Sequence, residues 1–127
     1  MNFIFPPGFD FLDLTWKSRT PAITAGSGSL TTVTGAVSRH IVLGKLVIDN
    51  FQFTISNNGT GDTSVLVSTA FQIKEHTAGL ARENSALGPV MMTGFAGANT
   101  IMLTRLDNGY PGGNGRLFFG TLVYEIN

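Results

Sequence analysis

The sequence predicts an all-β protein: an antiparallel β-sandwich, jelly-roll-like, behind a short extended N-terminal arm. Three observations predict it. Short runs rich in Val, Ile, Thr and Phe recur from Thr15 onward. Clusters of Gly, Asn and Ser separate them and suit tight turns. No stretch sustains the apolar period of a helix. Short strands joined by such turns pack as a sandwich, with a closed barrel as the alternative. A chain of 127 residues suits one domain. Area scaling lets a chain of this size bury about two thirds of its surface, enough for one core.

Residues 1–14 form the arm. Phe3, Phe5, Phe9 and Phe11 crowd into it, with Leu12 and Leu14 behind. Pro6-Pro7-Gly8 bars a regular helix or a central strand. So apolar an arm is expected to pack on a neighbouring subunit or a larger particle, or else to fold back over its own core. Residues 15–127 are the sandwich domain. Thr31–Thr34 and Ala36–Leu43 read as strand, and Gly44-Lys45 as a hairpin turn. In Leu46–Ile55 the apolar phase shifts by one residue at Asp49-Asn50, which predicts a β-bulge there. Ser56–Asp62 is a turn-rich loop. Ser64–Thr69, Met91–Phe95, Thr100–Leu106 and Arg116–Ile126 are further strands. In the last, Leu117, Phe119 and Val123 alternate with Phe118, Leu122, Tyr124 and Ile126, so a cover on each face is expected. Ile73–Leu87 reads as a long irregular connection with one strand at Gly79–Glu83.

Composition narrows the function. Charged residues make up 13% of the chain and the net charge is +0. Eight scattered Lys and Arg give no basic face for nucleic acid. High hydrophobicity argues against intrinsic disorder. So few charges also suggest that other subunits cover part of the surface. There is no cysteine, hence no disulfide framework, thiol nucleophile or cysteine-held metal. The Met1–Phe9 opening lacks a basic region and is broken by its proline pair, unlike a signal peptide. No apolar run is long enough to cross a membrane as a helix, so no membrane insertion is expected.

Several short motifs follow one another in a familiar order. Thr15-Trp16-Lys17-Ser18-Arg19-Thr20-Pro21-Ala22-Ile23 leads to Gly26-Ser27-Gly28. Val37-Ser38-Arg39-His40-Ile41-Val42-Leu43-Gly44-Lys45-Leu46-Val47 comes next. Asn57-Asn58-Gly59-Thr60-Gly61 precedes a strand running towards Phe71. Gly109-Tyr110-Pro111-Gly112-Gly113-Asn114-Gly115 introduces the last strand, which ends at Tyr124. Together they resemble the C-terminal β-sandwich domain of bacteriophage tail fibres and related tail appendages, over Thr15–Asn127. Three departures stand out: the padding by Ser18-Arg19-Thr20, His40 in place of a common Tyr, and Ser68-Thr69-Ala70-Phe71 at a strand end. The resemblance implies a homotrimeric tip that binds host cell-surface receptors, often glycans, without catalysis. It also implies a place in the virion after synthesis in the bacterial host cytoplasm. The arm would then dock on other tail or virion proteins. The alternative is a purely structural virion protein, a cap, baseplate or decoration piece held by that arm.

No catalytic motif is present and no cofactor is expected. The histidines are His40 and His76, and neither belongs to a zinc or triad pattern. Asp107-Asn108-Gly109 lacks the further oxygens of a calcium loop. Asp10 with Asp13, and Glu75 with Glu83, are the nearest thing to a glycosidase carboxylate pair, and eight acids produce such pairs by chance. The best ligand-binding candidate is the loop of Asp107, Asn108, Tyr110 and Asn114. Tyr110 offers a flat face for a sugar ring, and the other three offer donors and acceptors for its hydroxyls. The plainer role is a long hairpin loop in which Pro111-Gly112-Gly113 turns the chain and Asn114 takes a left-handed conformation. Trp16 suits a core or interface anchor better than a glycan platform. His40 suits a half-buried strand position, His76 a solvated loop, and Met91-Met92 core filling.

Overall fold

The computed structural model describes residues 15–127. The arm expected at 1–14, with Asp10 and Asp13, lies outside the described residues. Nine strands and no helix occur among the described residues: β1 (Lys17–Arg19), β2 (Ile23–Ser27), β3 (Thr32–Leu43), β4 (Leu46–Asn57), β5 (Asp62–Ser68), β6 (Thr77–Glu83), β7 (Gly88–Gly94), β8 (Thr100–Thr104) and β9 (Arg116–Glu125). The all-β, antiparallel expectation holds. β1 and β2 are too short and too polar to stand out in the sequence.

The ladders join all nine strands in the order β1-β3-β4-β9-β6-β7-β8-β5-β2. The expected division into two packed sheets thus takes another form, one continuous sheet that curls on itself. Connectivity forces the curl. A flat sheet of nine strands would be about 38 Å wide at ~4.8 Å per strand. Yet its end strands, β1 and β2, are joined by only Thr20-Pro21-Ala22, which span at most about 14 Å. The ends must therefore meet. Arg19 of β1 reaches the carbonyl of Ser68 on β5, the neighbour of β2, at 2.5 Å.

Among the described strands, β9 alone forms ladders with both halves of the sheet. It pairs with β4 along ten registered positions but with β6 only at Phe118 and Phe119. Inward residues from both halves fill one core: Phe51, Phe53 and Ile55 of β4, Val65 and Val67 of β5, Val90 and Met92 of β7, Ile101 and Leu103 of β8, and Phe118, Leu122 and Tyr124 of β9. Phe53 stacks on Phe118 with ring centroids 5.0 Å apart.

The bulge predicted at Asp49-Asn50 does not exist. β4 keeps unbroken register with β9 from Leu46 to Ile55. Val47, Asp49, Phe51, Phe53 and Ile55 all point inward. The apparent phase shift arose because a carboxylate occupies a core position. The irregularity lies in β3, where the register with β4 slips between Thr34 and Val37 around Gly35 at φ 63°.

Asp49 is tolerated because it is fully bonded. It accepts from Ser38 Oγ (2.6 Å), Tyr124 Oη (3.1 Å), Arg19 Nη2 (3.3 Å) and Ala70 N (3.3 Å). Those partners come from β1, β3, β9 and the segment after β5, so the cluster pins the seam where the curled sheet meets itself. Burial, then the Asp49 charge, push the Tyr124 hydroxyl above the ordinary tyrosine value.

The last strand was expected to be covered on both faces. Its inward face is buried, whereas outward Phe119 and Val123 remain 39% and 46% exposed.

Candidate functional site

The loops Asn58–Gly61 and Arg105–Gly115 come together at one end of the sheet. Asn58, in the loop after β4, is the centre. Its Oδ1 accepts the Tyr110 hydroxyl at 2.5 Å, its backbone N donates to Asn114 Oδ1 at 2.7 Å, and its Nδ2 donates to the Gly61 carbonyl at 2.9 Å. Arg116 Nη1 donates to the Pro111 carbonyl at 2.7 Å and holds the returning limb.

Tyr110 is therefore not a platform on a loop tip, as its sequence setting suggested. Its ring is half-buried against the core. A Cβ on Gly112 would collide with the ring, and one on Gly61 would fall 2.8 Å from its oxygen. Both glycines are required by close approach rather than by turn geometry. Burial, then the charge of Asp62, push the Tyr110 hydroxyl above the ordinary tyrosine value. The left-handed residues of the loop are Asn108, at φ 66°, and Gly115, at φ 76°, and not Asn114.

Asp107 and Asn108 stay exposed on the outer bend. Asp107 Oδ1 accepts from Gly109 N at 3.0 Å and faces Arg105 Nε at 3.5 Å. Leu87, Pro89, Arg105, Leu106 and Asp107 line an open groove of about 220 Å³. Leu106 is 57% exposed there. Of the four residues expected to bind ligand, then, Tyr110 and Asn114 are gathered around Asn58, Asp107 faces the groove, and Asn108 shapes the bend beside it. Arg105, Leu106 and Pro89 are groove residues that sequence reasoning misses. The signal in the sequence is Arg105-Leu106-Asp107, a leucine flanked by two opposite charges.

Glu75 and Glu83 do not form a pair. Glu75 is exposed, while Glu83 is fully buried and spent on its own turn. Among the described residues no three His, Cys, Asp or Glu side chains converge as metal ligands. His76 is exposed, its Nδ1 accepting from Ala96 N at 3.0 Å. His40 is half-buried and meets Phe71 edge-on. Met92 is core, Met91 only half-buried, and Trp16 lies over the Arg39 guanidinium, 4.9 Å from its ring centroid. No protein-family model, curated protein or solved structure matches the chain.

Proposed function

We propose that this chain is a self-associating, non-catalytic tip domain of a phage tail fibre or related appendage, carried in the virion, that binds glycans on the host surface. The groove beside Arg105, Leu106 and Asp107 carries the binding half of this reading. It sets an anion and a cation 3.5 Å apart beside exposed apolar carbons. That is the chemistry a sugar needs: a carboxylate and guanidinium for hydroxyls, and Leu106 with Pro89 for the ring's CH face. The groove is open and shallow, so one site is weak, and three copies on one tip supply avidity. Tyr110 serves this site by fixing the loop from below.

The test is a glycan array probed with the full chain, followed by calorimetry on any hit. Arg105→Ala and Asp107→Ala are each expected to weaken binding about tenfold, the effect of losing a charged hydrogen-bond partner, with the melting temperature unchanged. Absence of any glycan ligand, or binding indifferent to both substitutions, overturns the reading. The outward apolar residues Leu46, Leu80, Phe119 and Val123 favour a second reading, in which the chain only builds the particle. An oligomer that binds no glycan would decide for it.

A further inference from the structure

Register fixes which residues share the outward face of the sheet. Ile41 lies opposite Ile48, which lies opposite Val123; Val37 lies opposite Gln52, which lies opposite Phe119. Phe119 in turn lies opposite Arg82 of β6. Val37, Leu46, Phe119 and Val123 are each between 39% and 47% exposed. These apolar side chains stand in separate rows, parted by Asn50 and Thr121, which bond each other at 2.8 Å; exposed apolar side chains grouped on one sheet face suit an interaction surface. Its charged side chains are Arg39 and Arg82, both exposed, and at the far end Glu125, with Lys74 Nζ 4.0 Å from it.

The beginning of the described chain already lies on this face. β1 pairs Lys17 with His40 and Ser18 with Arg39. Continuing that register sets Trp16 opposite Ile41, on the side where its ring covers Arg39. Ile41 is accordingly only 8% exposed. The same register brings Thr15 beside Val42, with which it lines a small cleft. The direction of β1 then runs out at the Gly44-Lys45 turn, the end of the sheet. Fourteen residues precede Thr15, a reach of up to about 48 Å. They carry four phenylalanines, and their charged side chains are Asp10 and Asp13. The sequence before Thr15 is thus apolar and acidic, and the outward face offers exposed apolar side chains together with Arg39 and Arg82.

We propose that the Phe-rich segment 1–14 of one copy docks on the outward face of β3, β4 and β9 of a second copy. Its aromatic rings cover Val37, Phe119 and Val123, and its aspartates face Arg39 and Arg82. This rests on the self-association part of the function proposed above and is independent of the glycan part.

The full chain has no cysteine, which makes a clean test available. A Phe9→Cys chain, activated as its thionitrobenzoate mixed disulfide, is mixed with a Val123→Cys chain, and release of the coloured thiol is followed. A Leu106→Cys chain is the control, and each rate is normalised to reaction with the small disulfide reagent alone. Val123→Cys is expected to react at least tenfold faster than the control, and Phe119→Lys in the same chain to abolish that advantage. Both positions are exposed, so neither substitution threatens the fold. Light scattering on the unsubstituted chain separates the two claims. An oligomeric mass with equal rates overturns the docking and leaves self-association standing. A monomeric mass overturns both. A Phe9→Cys/Val123→Cys chain that closes within one molecule, while the mixture stays silent, gives the face to the chain's own arm and overturns the exchange.

Discussion

Asp49 and Glu83 are both fully buried carboxylates on β-strands, and they are satisfied in opposite ways. Glu83 is served locally. Its oxygens accept the backbone N–H groups of Ser85 (2.8 Å), Ala86 (2.8 Å) and Leu87 (3.1 Å), together with the Ser85 hydroxyl. All of these lie within four residues, in the turn between β6 and β7. Asp49 is served from afar, by Arg19, Ser38, Ala70 and Tyr124, up to 75 positions away in sequence. A carboxylate bonded by its own turn can be assembled as soon as that hairpin forms. One bonded by four distant elements is assembled only when the whole sheet has curled. The first shapes a hairpin; the second reports on, and enforces, closure of the fold.

The largest expected effect breaks the second arrangement. Asp49→Ala takes the shared acceptor from two hydroxyls and an amide and the counter-charge from the part-buried Arg19, and should cost about 3–5 kcal/mol, read as a lower denaturant midpoint for the entire domain. Arg19→Ala leaves the carboxylate its other three partners and should cost about 2 kcal/mol, with faster amide exchange concentrated at β1 and β2, where the sheet ends meet. Glu83→Gln keeps one acceptor oxygen for the turn amides and should cost about 1 kcal/mol. Its exchange signature should stay confined to residues 84–88, and a global loss of protection would show that the local reading of Glu83 is mistaken.

The smallest effect is a pH dependence. Burial raises the Glu83 carboxyl, but its backbone and hydroxyl donors outweigh burial and hold it below the ordinary glutamate value. The unfolded chain therefore takes up the proton first as pH falls. Stability contributed by Glu83 is complete above the ordinary value and is lost as pH drops through the folded value. Tyr124 titrates in the opposite sense. Its hydroxyl holds its proton more tightly when folded, so its contribution is complete below the ordinary tyrosine value and lost as pH rises past it. Urea midpoints across pH should therefore show an acid limb that Glu83→Gln flattens and an alkaline limb that Tyr124→Phe flattens.

The same contrast explains what the sequence disclosed. Strands with local partners were legible. The Gly44-Lys45 hairpin, the strand ending at Glu83 and the alternation in β9 all follow from neighbours in the chain. What depended on distant partners was not. Asp49 read as a break in pattern because nothing nearby announces Arg19 or Tyr124 as its companions. Tyr110 read as an exposed tip because its lid, Gly112, and its acceptor, Asn58, lie in two loops whose meeting no local signal predicts. Gly61 and Gly112 looked like ordinary turn formers, although their lack of a side chain makes room for a ring.

The place of β9 in the middle of the sheet has a consequence for biosynthesis. This strand is translated after the other eight, yet it alone bridges β4 and β6. Until it leaves the ribosome, the nascent chain holds two partial sheets whose facing edges lack their neighbour. Such edges are templates for pairing with other chains. Ribosome stalling just before Arg116 should therefore yield a product that needs chaperone protection, whereas emergence of the ten residues of β9 lets the sheet close.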